Sequence, residues 1–254
     1  MRRIAVLACL ASLLGAVPAS AERLTVGLSS PDVRINSNFT GVPITVFGAI
    51  ERDANTISRA GGYDVAVMVT GPSESVAVRR KDRILGIWAN AASETFFAVP
   101  SFYAVASSSG IDTLAGEPVL SRLDLGFDNI GFVPLENIND STTEEFRHAF
   151  VRLKQQIGLY AENPESVDFL GDTVFRTTIW VPANVAVGPY KVRAFLFSDG
   201  ALLARQEEQF RILKTGFEQW VFTFSREQSF IYGVLCVVLA LFTGWLAGVI
   251  FRRD

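Results

Sequence analysis

Polar and apolar residues alternate through much of this chain, and the alternation predicts strands. Leu24, Val26 and Leu28 take turns with Thr25, Gly27 and Ser29, and Val33 and Ile35 continue the pattern past Pro31 and Asp32. A period of two sends successive side chains to opposite faces, as in a half-buried strand. Residues 44–49 (ITVFGA) form a second candidate after Pro43. Residues 63–70 (YDVAVMVT) form a third, with Tyr63, Val65, Val67 and Val69 expected on one face and Gly71-Pro72 closing it. Residues 75–78 and 83–89 flank the polar run Arg79-Arg80-Lys81-Asp82 and read as a hairpin with that run at its tip. Two more strands, 95–99 and 102–106, lie on either side of Pro100. This series of short strands, with no helix between them, predicts an immunoglobulin-like sandwich over residues 22–106.

The period then changes. Ser107-Ser108-Ser109-Gly110 ends the alternation, and residues 107–213 read as an α+β region. A short helix is expected at 117–125 with Pro118 in its first turn. A longer one is expected at 142–158, with Ser141 as its cap and Glu144 completing a capping box. Phe146, Phe150, Leu153 and Ile157 recur at helical spacing as its apolar stripe, and His148 lies off that stripe. Strands return at 173–181, 190–198 and 201–213, with Asp199-Gly200 as a two-residue hairpin turn. Three strands cannot enclose a core alone, so these pack on the helix, pair with the first stretch, or both.

Residues 230–251 (FIYGVLCVVLALFTGWLAGVIF) carry no charge at all. At 1.5 Å per residue the run comes to roughly 33 Å, enough to cross the hydrocarbon core of a bilayer. It is the predicted transmembrane helix. Ahead of it, residues 214–229 form a juxtamembrane linker or helix in which Phe217, Trp220, Val221 and Phe224 recur at helical spacing. Trp220 and Tyr232 are residue types that settle at the membrane–water boundary. Residues 252–254 (RRD) read as a short cytoplasmic tail, the side that Arg252 and Arg253 favour. At the other end, Arg2 and Arg3, the apolar run 4–17 and Ala19-Ser20-Ala21 make residues 1–21 a secretory signal peptide. The expected fold class is mainly β with a helical middle segment and one transmembrane helix near the end.

Composition narrows the chemistry. Over residues 22–229 nineteen Lys and Arg stand against twenty-five Asp and Glu, a charge of −6. An acidic body argues against nucleic acid, which needs a concentrated basic surface. The two cysteines, Cys9 and Cys236, both lie in apolar targeting or membrane segments. The exported region therefore offers no disulfide, thiol nucleophile or thiolate ligand. His148 is the single histidine, so a Ser-His-Asp triad would have to use it and a zinc site would lack its usual ligands. Asp124, Asp128 and Glu136 cluster, but not at calcium-loop spacing. No metal and no cofactor is assigned, and the chain is not expected to be an enzyme.

Three constellations remain. Arg79, Arg80, Lys81 and Arg83 place four positive charges together. They suit an anion, a lipid headgroup or an acidic partner surface. They also suit a solvated turn whose like charges discourage edge pairing. Trp88, Phe96, Phe97, Phe102 and Tyr103 form the densest aromatic stretch, either core or an exposed partner patch. Within the span, Cys236, Ala240, Gly244 and Gly248 repeat every four residues. Small residues on one stripe allow close approach of another helix.

Several segments carry a family resemblance: Phe39-Thr40-Gly41, Arg79-Arg80-Lys81 leading into Gly86-Ile87-Trp88-Ala89-Asn90, Val99-Pro100-Ser101-Phe102-Tyr103, and Gly244-Trp245-Leu246 before Phe251-Arg252-Arg253. Beyond the signal peptide the chain resembles the family of predicted alphaproteobacterial transmembrane proteins, catalogued as of unknown function. The resemblance implies a Gram-negative inner membrane with the body in the periplasm, and puts a permease among the candidate partners. It supplies neither substrate nor active site. The expected role is an interaction or accessory subunit of a membrane complex such as a transporter. The alternative is a periplasmic anion or small-molecule sensor.

Overall fold

The computed structural model describes residues 22–36, 39–52, 62–84, 86–134, 140–216, 221 and 224–250. The expected signal peptide, the tail 252–254, Glu136, and Phe217 and Trp220 of the juxtamembrane segment lie outside these residues. Among the described residues the strands are β1 (Glu22–Leu28), β2 (Asp32–Ile35), β3 (Gly41–Arg52), β4 (Asp64–Thr70), β5 (Ser73–Ile84), β6 (Ile87–Pro100) and β7 (Tyr103–Ser107). The series continues with β8 (Val133–Pro134), β9 (Tyr160–Asn163), β10 (Val167–Phe169), β11 (Val174–Pro182), β12 (Gly188–Ser198) and β13 (Ala201–Lys214). The helices are α1 (Ile111–Leu114), α2 (Glu117–Arg122), α3 (Asp140–Gln156) and α4 (Ser229–Ile250), with a 3-10 turn at Phe127–Asn129. The chain is mainly β, as its alternation predicts.

Where alternation is strict, burial follows it. β1 buries Leu24 and Val26 and exposes Arg23, Thr25 and Gly27. β11 buries Phe175, Thr177, Ile179 and Val181 and exposes the residues between them. The first sheet runs β1-β3-β11-β10, antiparallel throughout. The second runs β2-β13-β12-β4-β7-β9, antiparallel except for parallel pairs at its two ends. A smaller third sheet is β5-β6-β8. Both larger sheets take strands from each side of residue 107: β11 lies beside β3, and β12 beside β4. The later strands thus complete their core by pairing with the earlier ones.

The turn between β12 and β13 is the one expected. Asp199 and Gly200 have φ of 50° and 77°, and the primed turns that match strand twist require positive φ at both positions.

β4 departs from its expected pattern. Residues 65–69 are buried on both faces, not one. In register, Val65, Val67 and Val69 share a face with Leu196, Ala194 and Val192, while Ala66 and Met68 stand opposite Phe195 and Arg193 on the other. That second face is roofed by the middle segment. Tyr103 and Tyr160 each meet the Phe127 ring, at 6.0 and 6.4 Å between centroids, and Tyr160 meets Phe150 at 5.8 Å. Leu114, Leu120, Leu123 and Leu125 are buried there too. Each such side chain contributes roughly 1.5–3 kcal/mol on burial.

Helix α3 also corrects the sequence reading. It begins at Asp140, so Ser141 lies inside the helix and not at its cap. Phe146 and Phe150 are buried as expected, but Leu153 and Ile157 are 51% and 55% exposed. Val151 and the stems of Arg147 and Lys154 take their place. Long cationic side chains can lay their methylenes along apolar surface and carry the charge to a partner. Here the Lys154 ammonium lies 5.4 Å from the Phe150 ring centroid and pairs with Glu74. His148 is exposed, near Glu144, on the solvent side where the sequence placed it.

Candidate functional site

The four cations singled out in sequence do not form the hairpin tip. β5 continues through them to Ile84, and the reversal falls between Ile84 and Ile87. Gly86, at φ 86°, supplies the left-handed backbone there, a conformation that costs glycine little. Arg79, Arg80, Lys81 and Arg83 are therefore strung along an extended, exposed strand. Arg80 Nη1 lies 3.2 Å from Glu145 Oε2 on α3, and a bulge between Arg80 and Lys81 re-aims the residues beyond.

Among the described residues β8 joins this hairpin only at Phe96 and Phe97, and the far half pairs as a two-stranded ribbon. At the end of that ribbon Arg83 stands across from Trp88. Ile87 and Trp88 are 71% and 69% exposed. The aromatic stretch thus divides: Phe96, Phe102 and Tyr103 belong to the core, while Trp88 and Phe97 face outward.

A cavity of about 440 Å³ opens where β4 hands over to β5, beneath the segment that carries Asp124 and Ile130. Lys191 and Arg193, two apart on β12 and so on one face, line it with Glu207 from the adjoining strand. Lys191 Nζ lies 3.8 Å from Glu207 Oε1, and Arg193 Nη1 lies 3.8 Å from Asp124 Oδ2. Tyr103 fixes the overhanging segment. Its hydroxyl donates to the Asp124 carbonyl at 2.9 Å and accepts from the Gly126 amide at 2.8 Å. Burial holds that hydroxyl far above its usual pKa, so it keeps the proton this double role requires. Glu162 accepts from the Phe127 amide, and burial raises its carboxyl from 4.5 to about 6.

A second cavity, about 450 Å³, is also bounded by Asp124 and Ile130 and is lined by Asp128, Glu144 and Arg147. Arg147 donates to the Asp128 carbonyl at 2.8 Å, which ties α3 to the 3-10 turn. Among the described residues no group of three or more His, Cys, Asp or Glu forms a cation site.

Sequence reading missed the β12 cations. The signal was present in Lys191-Val192-Arg193, two charges at a spacing of two inside an apolar strand. Only the tertiary structure brings Glu207 to Lys191 and Asp124 to Arg193.

In α4 no residue is buried, and its 22 residues are long and apolar enough to cross a membrane. A Cβ added at Gly244 or Gly248 would meet nothing within 4 Å, so the small-residue stripe with Ala240 stands open. Thr243 spends its hydroxyl inside the helix, donating to the Leu239 carbonyl at 2.9 Å.

No curated protein matches this chain. A family model described as "Putative transmembrane protein (Alph_Pro_TM)" matches residues 23–253, nearly the whole chain, and the protein therefore belongs to that transmembrane family.

Proposed function

We propose that this protein is a non-catalytic accessory subunit of a membrane complex, tethered by one span in a bacterial inner membrane with its β-rich body in the periplasm. Its partner is another membrane protein, with a permease the foremost candidate class. The body is an immunoglobulin-like sandwich, a reading supported by its divided first strand: β1 pairs with β3 in one sheet, and β2 pairs in parallel with β13 in the other.

The observation that carries the docking role is the ribbon end. Two large apolar side chains, Ile87 and Trp88, are held out beside Arg83 on a strand that also bears Arg79, Arg80 and Lys81. Tryptophan and arginine are the residues enriched in binding hot spots, and the four charges select an acidic rim around an apolar notch. In the membrane the Ala240, Gly244 and Gly248 stripe adds close helix packing.

The test is a photo-crosslinking residue at position 88 in intact cells. One membrane protein is expected in the adduct, lost when Arg79, Arg80, Lys81 and Arg83 are changed to Gln and weakened by Gly244→Leu with Gly248→Leu. An adduct indifferent to the four charges removes the ribbon from the mechanism, and one indifferent to both glycines removes the span. The second reading, a periplasmic anion or small-molecule sensor acting through the same four cations, requires ligand binding to vanish in the quadruple Gln variant.

A further inference from the structure

The β12 cavity has features that the docking role leaves unused. Arg193 is only 30% exposed, and its Nε is shielded from solvent with no hydrogen-bond partner. Asp124, its nearest acid, stands 3.8 Å away, beyond hydrogen-bonding distance. A guanidinium presents a rigid fork of donors, and a shielded donor left unmet is unfavourable unless something else supplies the acceptor.

The cavity is also where backbone strain collects. Among the described residues four non-glycine positions have positive φ, and two of them, Ala98 at 56° and Asp124 at 55°, line this one space. Such conformations are costly and concentrate at ligand sites, where the surrounding structure imposes them. The Tyr103 hydroxyl does so here, bracketing Asp124 between its own bond to the carbonyl and the Gly126 amide.

We propose that this cavity binds a small monocarboxylate, its carboxylate on the Arg193 fork with Lys191 as the second cation, and its short apolar body against Pro72, Ile130 and Pro189. Planar guanidinium and planar carboxylate match two bonds at once. The volume, about 440 Å³, is in the usual range for small-ligand sites. Asp124 and Glu207 leave the four charged side chains neutral in sum, which accommodates one added negative charge and disfavours two. Of β5 and β6 only Ser73, Ala98 and Pro100 line the cavity, and Arg79, Arg80, Lys81, Arg83, Ile87 and Trp88 do not, so this proposal stands or falls independently of the docking role.

The experiment is calorimetric titration of the detergent-solubilised full chain with butyrate, and with sulfate as the divalent comparison. Butyrate is expected to bind at least tenfold tighter than sulfate. Arg193→Gln should lower butyrate affinity at least tenfold, Arg193→Lys should lower it less, and the Arg79, Arg80, Lys81, Arg83 quadruple Gln variant should leave it unchanged. Lys191→Gln, at an exposed position, should weaken binding severalfold and serves if Arg193→Gln fails to fold. No butyrate binding by the unaltered chain, equal binding after Arg193→Gln or Lys191→Gln, or a preference for sulfate overturns the proposal. Loss of butyrate binding in the quadruple variant does so too, and moves the anion site to the ribbon.

Discussion

Phe175 stands directly across from Gly48 in the β11–β3 register, and its ring fills the place a Cβ would take at that glycine. An ideal Cβ on Gly48 would lie 2.1 Å from the ring's Cζ. The glycine is thus a socket for the aromatic side chain of the neighbouring strand.

Gly48→Ala should therefore destabilise the fold by about 3 kcal/mol, the scale of overpacking in a closed core. Gly27→Ala, on the outward side of β1 with nothing within 4 Å, should change stability by less than about 0.5 kcal/mol. Adding Phe175→Leu to Gly48→Ala should recover part of the loss. Melting of the three solubilised variants measures this, and equal effects of the two glycine changes would discount the socket.

Lys154 Nζ lies 2.6 Å from Glu74 Oε1, joining α3 to the start of β5. The lysine is largely buried and the glutamate partly so. Truncating Lys154 to Ala should cost about 2 kcal/mol, since it removes packing on Phe150 as well as the pair. Glu74→Gln should cost about 1 kcal/mol, and the double variant less than the sum. Denaturant titrations of the cycle give the coupling, and strict additivity would show that the pair contributes nothing.

Glu162 predicts a pH dependence. Its folded value of about 6 lies above the ordinary 4.5, with burial the main cause. Between those values the folded chain keeps a proton that the unfolded chain has released. The stabilisation is thus complete below pH 4.5 and lost as pH rises through about 6. Glu162→Gln should match the unaltered protein at low pH and exceed it in stability by about 1 kcal/mol at pH 7.5, a figure discounted for the side chain's partial exposure. Melting curves across that range decide it, and a pH-independent difference would count against the burial.

Orientation is tested with two reporters fused ahead of Lys214. Alkaline phosphatase is expected to be active and β-galactosidase inactive, as the proposed periplasmic placement requires. The reverse pattern would put the body in the cytoplasm and remove the proposed partners.

Strands β1, β3, β11 and β12 and the Asp199-Gly200 turn were legible because each is a local rule: a period of two, a proline or glycine boundary, or a positive φ that few residues tolerate. The apolar run of α4 was legible for the same reason, since length and lack of charge suffice. The candidate sites were legible only in part. Arg79, Arg80, Lys81 and Arg83 were visible as a cluster, but their place along β5 depended on where Gly86 turns the chain.

By itself, then, the sequence determined what depends on neighbours a few residues away: the strands, the principal helix, the span and the sign of the charge. The tertiary structure alone decided that β11 lies on β3, that β4 is covered on both faces, and that Leu153 stays outside while Lys154 packs inward. It alone brought Asp124 and Glu207 to Arg193 and Lys191. The physical reason is that periodicity records which side chains share a face, whereas a second layer and a cross-strand partner come from distant parts of the chain and leave no local period.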